Sequence, residues 1–101
     1  MKRARFIAAA RREFLAEVSY YNQAQEGLGA RFAAAVEEAT ARALVYPLAG
    51  SLSEETNTRR VMLKDFPFAL HYRPEQDGIV IFAVANHLRS PNYWQERIEK
   101  P

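Results

Sequence analysis

The chain has 101 residues, of which 49% are hydrophobic and 26% are charged, and its formal net charge is +2. This length suits one domain with one hydrophobic core, since domains usually contain roughly 100 to 150 residues. There is no apolar run of about 18 residues and no signal peptide with a basic start and an apolar centre, so we expect a cytoplasmic protein with no membrane partner. The absence of cysteine excludes disulfides and thiolate metal sites, and two histidines make a poor zinc site. We therefore expect no metal and no cofactor.

The charged residues are unevenly distributed along the chain. Residues 1–13 carry a net charge of +4, residues 14–58 carry −4 and residues 59–101 carry +2. This asymmetry is typical of a protein whose sheet faces a polyanion or an acidic partner while its helices face water. Ordinary surface charge without a partner explains the same pattern equally well.

The first half of the chain predicts one strand and two helices. Residues 3–7 begin by alternating basic and apolar side chains, which indicates a short opening or edge strand. Residues 9–25 and 30–44 carry apolar side chains every three or four positions and predict two helices that pack as a hairpin. Residues 27–29, Gly-Leu-Gly, predict the turn between them. The predicted core positions are Ala10, Phe14, Val18, Tyr21, Phe32, Val36, Ala39 and Ala43.

The second half predicts three strands. Residues 47–58 are rich in proline, glycine and hydroxyl side chains and predict a surface loop. Residues 59–64 alternate and predict a strand. In residues 66–73 every second side chain is large and apolar, which predicts a strand that buries one face. Residues 79–85 are apolar throughout and predict a central strand covered on both faces. Residues 74–78 then form an antiparallel hairpin loop, in which Gly78 can adopt a positive φ.

The end of the chain predicts a short helix. Ser90 and Pro91 are typical of an N-cap and a first helical residue, which places Tyr93 in the first turn. Trp94 and Ile98 form an apolar pair four positions apart, so we expect Trp94 in the core. The complete order predicts an α+β domain with an N-terminal strand, a helical hairpin, an antiparallel three-stranded sheet portion and a short C-terminal helix. Both long helices pack on one face of the sheet, and the other face is open or covered by something else.

Several short motifs accompany this order of elements. They are Tyr20-Tyr21, Gly27-Leu28-Gly29 followed by Phe32, Arg60, Phe66-Pro67-Phe68, Tyr72-Arg73, Ala83-Val84-Ala85, and the block from His87 through Trp94 to Arg97. Together they resemble the RelE/ParE superfamily of bacterial type II toxin–antitoxin toxins over essentially the whole chain. The resemblance is to the branch called ParE-like or plasmid-stabilisation proteins.

This resemblance implies a RelE/ParE-like fold and a small toxin neutralised by a cognate antitoxin in a hetero-oligomeric complex. Two activities occur in the superfamily. RelE-type members cleave messenger RNA in the ribosomal A site with basic side chains and a tyrosine, whereas ParE-type members inhibit DNA gyrase.

The matching positions discriminate partly between these activities. RNA cleavage through a 2′-hydroxyl needs an acid or base together with positive charge on the phosphate. This chain supplies Arg60, His87 and Tyr93 as the candidate catalytic residues of a nuclease. Met62 and Ala69 stand where the RelE pattern has cations, and neither can bind a phosphate. The residues therefore favour growth inhibition through binding of a cellular target such as DNA gyrase.

Two alternatives stay open. One is a ribosome-dependent messenger RNA endonuclease in which Arg59, Arg73 or Arg89 replaces the missing cations. The other is a non-toxic module that only binds a partner. Under any of the binding hypotheses, the candidate partner- or target-binding residues are Arg59, Arg60, Arg73, His87, Arg89, Tyr93 and Arg97.

Three of these residues have a structural alternative. His87 suits a capping or interface role with a backbone bond, Tyr93 can pack on the sheet with its hydroxyl at the surface, and Arg73 can pair with Glu75. We expect Arg60→Ala or Arg73→Ala to weaken toxicity or antitoxin binding without unfolding the domain.

Overall fold

The computed structural model describes residues 2–88 and 93–99. The elements in this part of the chain are β1 (Arg3–Phe6), α1 (Ala8–Ala24), α2 (Leu28–Val45), β2 (Ser51–Ser53), β3 (Thr58–Met62), β4 (Phe68–Glu75), β5 (Gly78–Asn86) and α3 (Glu96–Glu99). The strands form one sheet in the order β1-β5-β4-β3-β2. β1 runs parallel to β5, and every other neighbouring pair is antiparallel. The predicted α+β class is confirmed. Within the described residues, the helices are too short or too polar to cross a membrane.

The helices α1 and α2 cover one face of the sheet, which we call the back face. Apolar side chains spaced by three or four positions line the inner side of each helix, as predicted, and they meet the alternate side chains Phe68, Leu70 and Tyr72 of β4. The Phe32 ring lies 5.0 Å from the Phe68 ring and 5.1 Å from the Tyr21 ring, measured between centroids. Burial of these aromatic side chains is the main force that holds the helices on the sheet.

The opposite, front face is covered in part by the C-terminal segment, residues 93–99. Ile79 and Ile81 of β5 point into the back core, while Val80 and Phe82 pack with Trp94 on the front. The prediction of a central strand covered on both faces is thus confirmed, and Trp94 lies in the core as expected. A register shift between His71 and Tyr72 interrupts the β4–β5 pairing.

The turn between the helices lies at residues 25–27, two positions earlier than the predicted 27–29. Gly27 has a φ of 87° and ends the turn, and α2 already begins at Leu28. Gly29 therefore lies inside α2 and not in the turn. Its role is close helix packing, because a Cβ at this position would lie 2.5 Å from the carbonyl oxygen of Val18 and 2.8 Å from the Cβ of Asn22.

The predicted loop at residues 47–58 contains a strand. Ser51–Ser53 pairs with Thr58–Arg60 as the edge hairpin β2–β3, closed by a turn at residues 54–57. The prediction was wrong here because a polar strand of three residues is too short to show a period, and its stability comes from pairing with β3.

The β4–β5 hairpin is also tighter than predicted. β4 extends through Pro74 and Glu75, and only residues 76–77 form the turn. A proline fits here because β3 pairs with β4 no further than Tyr72, so no third strand needs the missing N–H on that side. Gly78 adopts the predicted positive φ, at 143°, where a Cβ would lie 1.8 Å from the Arg3 carbonyl oxygen.

At the C-terminal end, Ser90 and Pro91 lie outside the described residues. Tyr93 was predicted inside a helix, but it lies in a turn at residues 93–95 that precedes α3. The helix is short, and Trp94 within the turn reaches back onto the front face.

Candidate functional site

The front face carries a polar cluster between β3 and β4. Arg60 and His71 are directly opposite each other in the antiparallel pairing, so their side chains share one face. The His71 ring stacks on the Trp94 ring with 4.3 Å between centroids and 30° between planes. The imidazole therefore lies between a cation and the indole that covers it.

This environment keeps His71 neutral. Burial, the largest cause, and the positive charge of Arg60 lower the pKa of His71 to about 4, although the negative charge of Glu13 opposes the shift. At neutral pH the imidazole thus has one N–H donor and one acceptor nitrogen.

An open cleft of about 240 Å³ adjoins this cluster, and we call it the Arg60 cleft. Its lining residues are Ser51, Leu52, Ser53, Thr58, Arg59, Arg60, His71 and Trp94. Arg60 is exposed, and its side chain makes no hydrogen bond or ion pair with the part of the chain that the structure describes. The cleft thus presents a guanidinium whose donors are available to a ligand.

The neighbouring arginines are already bonded to backbone. Arg59 donates to the carbonyl oxygens of Leu48 and Gly50, both at 2.9 Å. Arg73 donates to the carbonyl oxygens of Thr56 and Asn57 at 2.8 and 2.9 Å, and its guanidinium lies 5.1 Å from the centre of the Phe82 ring. The carboxylate of Glu75 pairs with Arg5 instead of Arg73. Arg59 and Arg73 therefore brace the connections on either side of β2.

A second cluster fastens the C-terminal segment to α1. The carboxylate of Glu13 accepts hydrogen bonds from both terminal nitrogens of Arg97, at 2.9 and 2.8 Å, from the hydroxyl of Tyr93, and from the backbone N–H of Val84 at 3.2 Å. The Arg97 guanidinium also lies 5.3 Å from the centre of the Tyr93 ring. The hydrogen bond to Glu13 is the largest cause that raises the pKa of Arg97, so the guanidinium stays charged.

No pattern in the sequence identifies Glu13 as the partner of the C-terminal segment. Its contacts lie 71 to 84 positions away, and an isolated glutamate in a helix looks like ordinary surface charge. His71 was also missed as a site residue, although its place on the polar side of an alternating strand was visible.

Tyr93 opens onto a different cleft from Arg60. This second cleft has a volume of about 320 Å³ and is lined by Glu13, Ala16, Glu17, Phe68, Val84, Asn86 and Tyr93. We call it the Glu13 cleft. Of the two carboxylates at its wall, Glu13 is paired with Arg97, so the net negative charge comes from Glu17, in contrast to the Arg60 cleft.

His87 does not line either cleft. It follows β5 and is exposed, and its backbone N–H donates to the carbonyl oxygen of Pro67 at 3.1 Å. Arg89 lies outside the described residues. Met62 and Ala69 face each other across the β3–β4 pairing, with Ala69 fully buried. The structure thus groups Arg59 with Arg60, and Tyr93 with Arg97, but does not bring Arg60, His87 and Tyr93 into one cleft.

The comparison with protein families agrees with this fold. A search of curated proteins finds no match. The family described as "ParE toxin of type II toxin-antitoxin system, parDE" matches residues 5–91, from within β1 past the end of β5. This family implies a cognate antitoxin as partner. Because the match includes both long helices and nearly the whole sheet, the chain belongs to the ParE toxin family of type II toxin–antitoxin systems.

Proposed function

We propose that this toxin inhibits growth by binding a cellular protein such as DNA gyrase in the cytoplasm, and that its cognate antitoxin neutralises it in a hetero-oligomeric complex. The observation that carries the choice of binding over RNA cleavage is that Arg60 and Tyr93 line different clefts and His87 lines neither of them. A nuclease needs its acid, base and phosphate-binding groups within reach of one scissile phosphate.

The electrostatics of the Glu13 cleft support the same choice. Tyr93 donates its hydroxyl to the carboxylate of Glu13, and Glu17 lines the same wall. Negative charge at this place opposes the approach of a phosphate. On the front face, Met62 has an exposed apolar side chain and Ala69 is fully buried, so neither supplies a cation that an RNA-cleaving site would need there.

The proposed binding residues contribute in two ways. Arg60 and His87 have exposed side chains available for direct contact with a target or antitoxin. Arg59, Arg73 and Arg97 are bonded within the chain and would contribute by holding the adjoining loops and the C-terminal segment in place, and through their unused N–H groups.

Induced expression in a bacterial host tests the proposal. We expect growth arrest with filamentation, a DNA-damage response and intact messenger RNA, and we expect rescue when the protein encoded by the adjacent gene is expressed with it. The control is the same gene with an early stop codon. Unchanged growth would favour a non-toxic binding module, and A-site cuts in a primer-extension map of cellular messenger RNA would favour the nuclease.

A supercoiling assay with purified DNA gyrase tests the target directly. We expect the purified toxin to inhibit supercoiling in a dose-dependent manner. If growth arrest occurs and gyrase is unaffected, the toxin has another target.

A further inference from the structure

The two edges of the sheet differ in how well they are protected against pairing with another chain. β1, at one edge, carries Arg3 and Arg5, both exposed, and charged side chains are a usual device that prevents an edge strand from pairing with another chain. β2, at the other edge, has the sequence Ser-Leu-Ser without a charge, and all three residues are exposed. Leu52 leaves 49% of its surface in solvent. The β2 edge is therefore open to an added strand.

The β2 edge leads directly into the Arg60 cleft. Ser51 is the cross-strand neighbour of Arg60, so the backbones of the edge strand and of Arg60 lie one strand spacing apart, about 5 Å, and both residues line the cleft. The donors at the cleft wall are the guanidinium of Arg60, the hydroxyls of Ser51 and Ser53, and the N–H of neutral His71. This set favours an anionic acceptor, and a carboxylate matches the planar fork of an arginine.

We propose that the β2 edge and the Arg60 cleft together bind an extended acidic segment of the antitoxin. The backbone of the segment pairs with Ser51–Ser53, and a carboxylate side chain of the segment enters the cleft and pairs with Arg60. This inference rests on the proposed neutralisation by an antitoxin and adds where one part of that partner docks and by which chemistry.

A second copy of this chain fits the edge less well. Pairing of β2 with its own copy would bring the unpaired Arg60 of each chain towards the other, and like charges close to an interface oppose association. The described residues that line the cleft include no carboxylate that would compensate this repulsion.

A nucleic acid also fits less well. Nucleic-acid binding needs several phosphate contacts from lysine or arginine along one surface. Of the cleft's two arginines, Arg59 is bonded to backbone carbonyl oxygens, which leaves Arg60 as its available cation among the described residues. One cation beside an open strand suits an acidic peptide better than a polyanion.

Binding measurements test the carboxylate contact. The partner is the protein encoded by the gene adjacent to this chain's gene, and its Kd for the full-length toxin is measured by calorimetry. We expect Arg60→Ala to raise the Kd at least about tenfold, as for the loss of a charged hydrogen-bonded contact. The matched control is Arg3→Ala, which removes an exposed strand arginine from the opposite edge and should change the Kd by less than about twofold.

Hydrogen exchange tests the added strand. In the complex, we expect slower amide exchange within residues 51–53 and little change within residues 3–6. Equal Kd values for the two variants, or no protection at residues 51–53 in a complex that still forms, would overturn this inference and leave the proposed function intact. Failure of the wild-type toxin to bind the neighbouring protein would overturn both. Sedimentation of the toxin alone as a dimer, with residues 51–53 already protected, would assign the edge to a second copy and overturn the antitoxin assignment.

Discussion

At the scale of single residues, burial decides how much an ion pair contributes to the stability of the fold. Glu13 and Arg97 keep only 19% and 20% of their side-chain surface exposed, whereas Glu75 and Arg5 keep 36% and 60%. Exposed pairs contribute little because water and salt screen them, while removal of one partner from a sheltered pair leaves the other charge without its hydrogen bonds.

We therefore predict that Glu13→Gln lowers the free energy of unfolding by about 2 kcal/mol, since it weakens several hydrogen bonds to charged or buried donors. The matched control, Glu75→Gln, should cost less than about 0.5 kcal/mol. Urea unfolding followed by the fluorescence of Trp94 measures both. Equal losses for the two variants would show that the Glu13 cluster does not anchor the C-terminal segment.

His71 gives a prediction about pH. Its pKa is about 4 in the folded protein and 6.5 in the unfolded chain, so the unfolded chain binds the proton first as the pH falls. This contribution to stability is constant above pH 6.5 and is lost as the pH falls from 6.5 towards 4, by at most about 3 kcal/mol. In His71→Gln, the loss between about pH 7 and pH 4.5 should be smaller by most of that amount.

Proton NMR of the imidazole checks the same prediction without a substitution. We expect the His71 resonances to titrate well below the midpoint of an unperturbed histidine. A midpoint near pH 6.5 would mean that Trp94 does not shield the ring.

Residues differ in how far the sequence predicts their roles. Trp94 was predictable as a core residue because its partner Ile98 is only four positions away in the sequence, so the signal is local. Glu13 was not, because its role depends on where β5 and the C-terminal segment meet α1, which only the fold determines. The same holds for Arg73, whose partners are backbone carbonyl groups that carry no sequence signature.

At the scale of elements, the helical hairpin depends on the close approach of α1 and α2 at Gly29. In an isolated helix, alanine in place of glycine gains up to about 1 kcal/mol. Here the added Cβ would lie within 3 Å of atoms of Val18 and Asn22. We predict that Gly29→Ala lowers the free energy of unfolding by about 1 to 3 kcal/mol, as typical overpacking does. Urea unfolding measures this change in the free energy of unfolding. An increase would mean that α1 and α2 can move apart at Gly29 without loss of stability.

Elements long enough to show a repeating apolar pattern were predictable from the sequence, and the short edge strand β2 was not. β4, β5 and both helices show their burial in the spacing of apolar side chains over eight residues or more. β2 has three residues, one of them apolar, and it forms because β3 offers it a partner. The open edge of the sheet, and with it the Arg60 cleft, was therefore absent from any prediction made from the sequence.

At the scale of the whole molecule, the two ends of the front face, at β5 and at β2–β3, differ in how far they are covered. The C-terminal segment covers the front of β5 and is fastened there by Glu13, so Val80, Phe82 and the face of His71 are withdrawn from solvent. At the other end, β3 and β2, the guanidinium of Arg60 is exposed and has no side-chain partner among the described residues. The sequence predicted a front face that carries cations for a partner, and the structure narrows the available donors in the described residues of this face to the region of Arg60.

This division predicts opposite outcomes for two arginine substitutions that the sequence treats alike. Arg73→Ala removes two hydrogen bonds to the turn at Thr56 and Asn57 and a contact with Phe82, so we expect it to cost about 1 to 2 kcal/mol and to lower the Tm by about 4 °C or more. Arg60→Ala removes no side-chain bond within the described chain, so its Tm should stay within about 2 °C of the wild type.

In the growth assay with the antitoxin present, Arg60→Ala should then alter toxicity or neutralisation in a protein that is as stable as the wild type. Arg73→Ala should alter them only as far as it lowers the amount of folded toxin, which circular dichroism measures at the assay temperature. An unchanged Tm for Arg73→Ala together with lost neutralisation would mean that its guanidinium contacts the partner directly and does not act as a brace for the β2–β3 turn.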